Sequence, residues 1–222
     1  MESERMTQQS RAEATRRATI QAAAEMFAAN GYANTNLADI ISHPGISKGA
    51  VYFHFASKET LARATIDEQH AMSMAACRNL LDTALPPLES LISMSLLVVD
   101  QLLTSPLIRA GVRLTGEIGD ARGTVADPHR EWVELVATIA DRAIDDGDLI
   151  PGTDSEDFAN FLVAAFDGVR MWSTHGNTTR DLPIRTERLW TFVLPGIVDA
   201  PHVEYFREYV HRRWLHASLD TE

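Results

Sequence analysis

Apolar residues recur every three or four positions along most of the chain, with polar residues between them. Near the start, Ile20, Ala23 and Phe27 fall on one side of a helix predicted over residues 7–30. Gly31 follows, and glycine is the residue that most often ends a helix. The sequence lacks sustained alternation of apolar and polar residues, which is typical of strands. The pattern therefore predicts an all-α fold.

Glycine, proline and helix-capping residues divide the chain into nine or ten predicted helices. After the first, these cover residues 37–42, 47–53, 56–82, 88–103, 104–119, 128–146, 154–172, 183–198 and 201–218. Asp127 before Pro128 is a strong start signal, because aspartate caps free N–H groups and proline fits the first turn. The sequence shows no flexible linker, so we predict an N-terminal domain, 1–57, that passes into a C-terminal domain, 58–222, within a long helix.

The composition is that of an ordinary globular protein. Hydrophobic residues make up 45% of the 222 residues, which is enough for a substantial core. The single cysteine, Cys77, excludes an internal disulfide and fits a reducing compartment. The first 20 residues lack the apolar stretch of a secretory signal, and the run at 91–99 is about half a membrane span. We therefore expect a cytoplasmic protein without a membrane partner.

The net charge of −11 is unevenly distributed along the chain. Residues 1–60 contain six Lys/Arg and six Asp/Glu, so the whole excess of acid lies in residues 61–222. A neutral N-terminal domain can still bind phosphate when its cations share one face. Nucleic-acid binding therefore remains open for this domain in spite of the acidic total.

The stretch GISKG at residues 45–49 fits two different kinds of site. It matches G-x-S-x-G, the nucleophile elbow of serine hydrolases, which requires a preceding strand within an α/β sheet. The residues before it, LADIISH, have the pattern of a helix instead. The second interpretation is a helix-turn-helix in which HPG forms the turn and Ser47 caps the following helix. The helical pattern on both sides favours this second interpretation.

A helix that starts at Ser47 presents several side chains suited to DNA. Lys48 places a positive charge at the helix start, where a phosphate or base contact would account for it. Gly49 and Ala50 are small and allow a backbone to approach DNA closely. Tyr52 and His54 have polar tips, although either is also interpretable as a packing residue.

The N-terminal sequence as a whole resembles a known family. The stretch TRRATIQAAAEMFAANGYANTNLADIISHPGISKGAVYFHFASKETL, with its F…GY, T…L.DI, G.SKG..Y.HF and SKE.L elements, is similar to the DNA-binding domain of TetR-family transcriptional regulators. In that family the first two helices support a third, which enters the major groove. The resemblance implies the following DNA-contacting set: Thr35, Asn36, Ser47, Lys48, Gly49, Ala50, Tyr52, His54 and Lys58.

Three further residues of this domain carry expectations. Phe53 and Phe55 are predicted to anchor the last turn of the third helix in the domain's core. Pro44 occupies a turn position that the family usually fills with a small residue. Proline disfavours a helical conformation in the residue before it, so we expect the second helix to end a residue early.

The acidic C-terminal region is too long and too apolar for a spacer. It is either a plain helical dimerisation core or a core that also encloses a small-molecule pocket. Trp132 lies early in its helix, Gln69 lies among small residues, and Phe166 and Val169 share one helix face. Each of these residues taken alone fits ordinary core packing better than a pocket.

A second resemblance favours the pocket. The patterns GAVYFHFASKE.LA, S.P..RAG.RL and P..EW resemble the γ-butyrolactone-type autoregulator receptors within the TetR family. By that resemblance Trp132 stacks on the effector, Gln69 lies near its head group, and Thr115 and His129 line the same pocket. The implied function is a repressor released by a lactone, furan or butenolide signal that controls secondary metabolism such as antibiotic production. The alternative is a TetR-type repressor of efflux or catabolic genes that responds to another apolar ligand.

We also expect a homodimer, because one short reading helix covers only half of a DNA site. The predicted interface helices are 156–172 and 202–215, with one apolar row formed by Phe158, Leu162, Ala165 and Val169.

Metal, cofactor and catalytic motifs are not evident in the sequence. The eight histidines and the single cysteine form no cluster with metal-ligand spacing, and no phosphate-binding glycine loop is present. We therefore expect no metal, no cofactor and no enzymatic activity. A helical enzyme or ligand carrier without DNA binding, and a structural interaction module, remain as other classes.

Overall fold

The computed structural model describes residues 2–119, 128–175 and 181–219, and these residues form ten α-helices and no strand. The all-α prediction is therefore confirmed. The helices are α1 (Glu2–Asn30), α2 (Leu37–Ile41), α3 (Lys48–His54), α4 (Lys58–Leu81), α5 (Pro87–Thr104), α6 (Pro106–Ile118), α7 (Pro128–Asp145), α8 (Ser155–His175), α9 (Leu182–Ile197) and α10 (Ala200–Leu219). The predicted cap at Asp127 lies outside the described residues.

The helices form two compact units. The first unit contains α1 to α3, α4 as far as Met72, and α6, while the second contains the rest of α4 with α5 and α7 to α10. These units do not coincide with the predicted division after residue 57. The difference arises because α6 packs along α1, although some 75 residues separate the two helices in the sequence.

Apolar side chains from separate helices build the core of the first unit. Phe27 of α1, Ile40 of α2 and Leu61 of α4 are wholly buried, and Leu114 of α6 joins them. Burial of each of these side chains stabilises the fold by about 1.5–3 kcal/mol. This shared core holds α2 and α3, which are too short to be stable alone, in a fixed position.

The turn between α2 and α3 is set by residues 42–47. The helix α2 ends at Ile41, one residue before the predicted end, which agrees with the expectation from Pro44. Gly45 has φ +85°, a conformation that favours glycine. The Ser47 hydroxyl then accepts the Ala50 N–H at 3.2 Å and caps α3, as predicted. The helix itself covers Lys48–His54, one residue later than the sequence indicated.

The helix α5 is the centre of the second unit, and α7, α9 and α10 pack against it. Its length and composition would allow it to cross a membrane, but 67% of its 18 residues are buried, as in the core helix of a folded protein. Trp190 of α9 is wholly buried, and its indole N–H donates to the Ser95 hydroxyl of α5 at 2.9 Å.

Candidate DNA interface and effector residues

The helix α3 has one side in the core and one side in water. Val51 and Phe55 are 0% and 3% exposed, so they fix which side faces inward. Lys48, Gly49 and Tyr52 are exposed on the other side. The structure therefore brings these three members of the predicted DNA-contacting set onto one surface. Ala50 and His54 are partly buried at the edges of that surface.

The prediction that Phe53 anchors α3 in the core is wrong. Its ring is 78% exposed, whereas Phe55 is buried as predicted. The reason is the helical period: at 100° per residue, position 53 lies about 200° from Val51 and thus almost opposite the core. The same helical wheel places Phe55 about 40° from Val51, so the spacing alone distinguishes the two phenylalanines. Phe53 is therefore a candidate DNA-facing residue that the sequence reading missed.

Two residues were predicted to contact phosphate at the start of α2. Asn36 is exposed, and its backbone N–H donates to the Asp39 carboxylate at 3.0 Å, so it forms an ordered helix start. Thr35 is wholly buried, and its hydroxyl donates to the Gly31 carbonyl at 2.7 Å. A contact between the Thr35 side chain and phosphate therefore does not fit this structure. Its hydroxyl instead satisfies a carbonyl at the end of α1.

The predicted phosphate ligand Lys58 already has a partner within the first unit. Its ammonium donates to the Tyr32 carbonyl at 2.8 Å and lies 4.1 Å from the centre of the Tyr32 ring. Both contacts favour the charged side chain where it is. The structure therefore gives Lys58 a local structural role, and a direct phosphate contact would require it to leave Tyr32.

The helix α6 is fastened to the end of α1 by a charged pair. The Arg113 guanidinium donates to the carbonyls of Ala28 and Ala29 at 3.0 and 3.2 Å, and to the Glu117 carboxylate at 2.8 Å. Glu117 also accepts the backbone N–H of Tyr32. We call this set of contacts the α1–α6 clasp. It satisfies helix-end carbonyls that α1 cannot satisfy itself.

The residues Gln69 and Thr115, predicted to meet an effector, both lie in the first unit. Gln69 of α4 packs directly on Gly111 of α6, where a Cβ would come within 2.4 Å of the Gln69 Cβ. Glycine at 111 is thus required for this close approach. The Thr115 hydroxyl donates to the Gly111 carbonyl at 2.9 Å within α6.

The other predicted effector residues lie in the second unit. Trp132 of α7, with Phe166 and Val169 of α8, is partly buried, so none of the three is sealed in the core. His129 is exposed and lies 3.5 Å from the Asp167 carboxylate of α8. Asp167 also accepts two N–H groups of Arg170. The contact with Asp167 places His129 on the side of α7 that meets α8, and Trp132, three residues later, lies on the same helix face.

The first two residues of the apolar row predicted for a dimer interface lie in the protomer's own core. Phe158 and Leu162 are 6% and 7% exposed and belong to the core of the second unit. The large apolar side chains that α8 exposes are instead Phe161, Met171 and Trp172, and α9 exposes Ile184 and Phe192. The predicted interface residues are therefore wrong in part, because a helical wheel cannot tell which of two apolar faces meets the protomer's own core.

Two observations bear on other chemistry. Burial raises the pKa of the Cys77 thiol to about 12, so it stays protonated and unreactive near neutral pH. Within residues 2–119, 128–175 and 181–219, no group of three or more His, Cys, Asp or Glu side chains is placed to hold a metal ion.

Comparisons with known proteins match both parts of the chain to one family of regulators. A family model described as bacterial regulatory proteins, tetR family, matches residues 20–65, and one described as tetracyclin repressor-like, C-terminal domain, matches residues 85–199. The A-factor receptor protein of Streptomyces griseus is 31% identical over 192 residues, which are 86% of this chain and 67% of that protein.

Solved structures give the same result at the level of the fold. A γ-butyrolactone receptor described as ArpA-like has a TM-score of 0.78 at 30% identity, over 93% of this chain and 99% of the other. CprB from Streptomyces coelicolor, a TetR family protein solved with its operator sequence, has a TM-score of 0.76 at 30% identity, with the same coverage. The second family model covers more than half of this chain, and the A-factor receptor protein is similar over most of it. The chain therefore belongs to the tetR family of bacterial regulatory proteins.

Proposed function

We propose that this chain is a cytoplasmic transcriptional repressor that binds operator DNA through α3 and is released by a small effector. The observation that carries the DNA-binding part is the capped helix α3, which buries Val51 and Phe55 and presents Lys48, Gly49 and Tyr52 to solvent. An exposed lysine beside bare backbone allows close approach to phosphate. The similarity to CprB, which was solved with an operator, supports the same use of α3 here.

The proposed effector is a γ-butyrolactone-like molecule with a lactone, furan or butenolide head, and the proposed targets are genes of secondary metabolism. Support comes from the A-factor receptor and the ArpA-like γ-butyrolactone receptor, which are similar over most of the chain rather than over the DNA-binding domain alone. In the second unit, Trp132, Phe166 and Val169 offer partly buried apolar surface beside the polar His129, which suits such a ligand. Contacts from Gln69 and Thr115 of the first unit stay predictions.

We propose further that the repressor is a homodimer joined through α8 and α9. Phe161 and Trp172 of α8 are 54% and 74% exposed, and Phe192 of α9 is 83% exposed. On the same two helices, Gly168 of α8 and Gly196 of α9 have open space where a Cβ would stand. Large exposed aromatic side chains are typical of a surface that another protein covers.

The test of repressor function uses the full-length protein and duplex DNA from its own upstream region. We expect a retarded complex in a gel shift at moderate salt, and loss of that complex when a synthetic γ-butyrolactone or an extract of the producing culture is added. Release by an unrelated apolar drug, without release by any lactone, would favour the alternative of an efflux or catabolic repressor. Absence of binding to any duplex would reject the proposal.

The roles of Lys48 and Tyr52 are separable by salt dependence. Lys48→Ala should weaken binding to all DNA and lower the slope of log K against log salt by about 1 per subunit, because one phosphate contact is lost. Tyr52→Ala should instead lower affinity for the operator by about 1–3 kcal/mol if it contacts a base edge. Identical slopes and identical sequence preference in the two variants would show that this assignment is wrong.

The role of Trp132 is tested by the effector response. Trp132→Ala should keep operator binding and lose release by the effector, because a stacking surface for the ligand is removed. Trp132→Phe is the matched control and should retain part of the response. Normal release of Trp132→Ala would reject the pocket assignment, and loss of both DNA binding and thermal stability would show that Trp132 is a folding residue.

A further inference from the structure

The most exposed aromatic side chain of α3 is a ring without a polar group. Phe53 is 78% exposed, against 53% for the neighbouring Tyr52. Single exposed apolar residues are common on protein surfaces. This one, however, lies at the centre of the surface that the proposed function assigns to DNA. The phosphate and base-edge contacts proposed for Lys48 and Tyr52 do not assign any contact to this ring.

The geometry of α3 makes Phe53 its outermost point. Gly49 and Phe53 are four residues apart, so they lie on the same ridge about 6 Å apart along the axis. Gly49 has no side chain, and among the described residues no atom other than its chain neighbours and the backbone of α3 lies within 4 Å of where its Cβ would be. The ring of Phe53 therefore projects beyond bare backbone. The edge of His54, with ring centres 4.9 Å apart and planes at 86°, limits the orientations that the ring can take.

The chemistry of the ring restricts what it can bind on DNA. Phenylalanine has no donor and no acceptor, so it cannot form a hydrogen bond with a phosphate or with a base edge. The major groove is about 12 Å wide and admits a helix, and the apolar group that base pairs present there is the C5-methyl of thymine. A ring that projects from a major-groove helix therefore has one base feature to recognise.

We propose that Phe53 is a specificity-determining residue that reads a thymine in each operator half-site through its C5-methyl group. This inference rests on the proposed function, since it requires α3 to enter the major groove. It adds one base identity to the positions that Lys48 and Tyr52 contact. Burial of a methyl group between ring and base removes apolar surface from water on both partners, so the contact is worth about fourfold in affinity.

The experiment compares thymine with deoxyuridine, which lacks only the methyl group and pairs with adenine in the same way. A preferred operator is first selected from random duplexes with the full-length protein, and each thymine is then replaced singly by deoxyuridine. We expect one position per half-site at which the replacement lowers affinity about fourfold. Phe53→Ala should bind the parent operator more weakly than the unmodified protein by a similar factor. It should then bind the parent and the deoxyuridine-substituted operators equally.

Two variants serve as controls. Phe53→Leu keeps an apolar side chain and should retain part of the response to the methyl group. Lys48→Ala should bind all duplexes more weakly and yet lose the same factor as the unmodified protein on replacement of the thymine. Circular dichroism of each variant checks that the helices are intact.

Other outcomes overturn the inference in distinguishable ways. The inference would be rejected if Phe53→Ala binds the parent operator as tightly as the unmodified protein does. It would also be rejected if Phe53→Ala loses the same affinity as the unmodified protein at every thymine-to-deoxyuridine replacement. Either result would leave the repressor function in place. Equal loss on thymine and deoxyuridine operators, with no sensitive position in the unmodified protein, would mean that the ring packs on deoxyribose instead. If the unmodified protein selects no duplex, the proposed function fails, and this inference fails with it.

Discussion

At the scale of single residues, the Ser47 hydroxyl determines how α3 begins, because it accepts the Ala50 N–H. We expect Ser47→Ala to lower the free energy of unfolding by about 1 kcal/mol, as for other lost N-caps. Ser47→Asp should keep the cap and the stability but weaken DNA binding, since its carboxylate would repel phosphate. Urea unfolding and gel shifts measure the two effects separately. Unchanged stability of Ser47→Ala would contradict the capping role.

Residue roles that depend on neighbours in sequence were predictable, and roles that depend on distant partners were not. Ser47 and its cap follow from a turn and a helix start, both of which are local. Lys58 matches a motif, but its ammonium donates to the carbonyl of Tyr32, which lies 26 residues away. A motif records which residue types occur at a position and does not record the hydrogen bonds that they make in a given chain.

At the scale of elements, the α1–α6 clasp offers a route by which α6 can influence the DNA-binding helices. Gln69 packs on Gly111 of α6, and Arg113 on the same helix holds the end of α1. We expect Arg113→Met to reduce the factor by which an effector weakens DNA binding. By reciprocity, the factor by which DNA weakens effector binding must fall equally.

Titration calorimetry with and without operator DNA measures both factors for Arg113→Met. The matched control is Arg212→Met, which removes a similar exposed pair, with Glu208 at 3.3 Å on α10. Equal coupling in both variants and in the unmodified protein would show that the clasp only stabilises the first unit.

The connection between α7 and α8 contains a carboxylate, that of Asp148, whose ionised form is unfavourable in the fold. Burial, followed by the nearby Asp146 and Glu89, raises the pKa of Asp148 above its ordinary 3.8, although the N–H of Leu88 acts in the opposite direction. A raised pKa in the folded state means that the stabilising contribution is present below the unfolded value and is lost as the pH rises through the folded value. At neutral pH, ionised Asp148 therefore destabilises the fold.

We expect Asp148→Asn to raise the free energy of unfolding at pH 7, because the amide oxygen can still accept the Leu88 N–H. The gain should shrink as the pH falls toward 4 and Asp148 itself becomes protonated. Asp146→Asn, which neutralises the exposed neighbour, should give a smaller gain. Chemical unfolding at several pH values checks this, and a gain that is independent of pH would contradict it.

The existence of the helices was predictable because the 3.6-residue period repeats along most of the chain, and most predicted ends lie within a few residues of the observed ones. The place of α6 was not predictable. Its sequence marks it as an amphipathic helix, but packing of Leu107, Ala110 and Leu114 on α1 is a contact between segments far apart in the chain. Periodicity shows that a face is apolar and does not identify the helix that covers it.

At the scale of the whole molecule, the same limit applies to the dimer. The sequence indicated α8 and α10, whereas the exposed aromatic residues Phe161, Trp172 and Phe192 lie on α8 and α9. The exposed side of α10 carries an aromatic residue, Tyr205 at 49% exposed, among the charged residues Glu204, Arg207 and Glu208. Which face of an amphipathic helix meets a second protomer becomes evident only once the protomer's own core has occupied the other face.

Charge substitutions on α9 and α10 distinguish an interface of α8 and α9 from one of α8 and α10. Phe192→Glu should give a folded monomer, because a carboxylate placed among the aromatic side chains of α8 and α9 would have to lose its water on dimerisation. Operator affinity should fall with it, since two copies of α3 must reach half-sites about 34–36 Å apart, one turn of DNA. The control Arg207→Glu changes the charge on α10 and should leave a dimer. Sedimentation equilibrium gives the mass, and circular dichroism checks the fold. If Arg207→Glu dissociates the dimer and Phe192→Glu does not, α10 forms the interface and the exposed aromatic face of α8 and α9 has another partner.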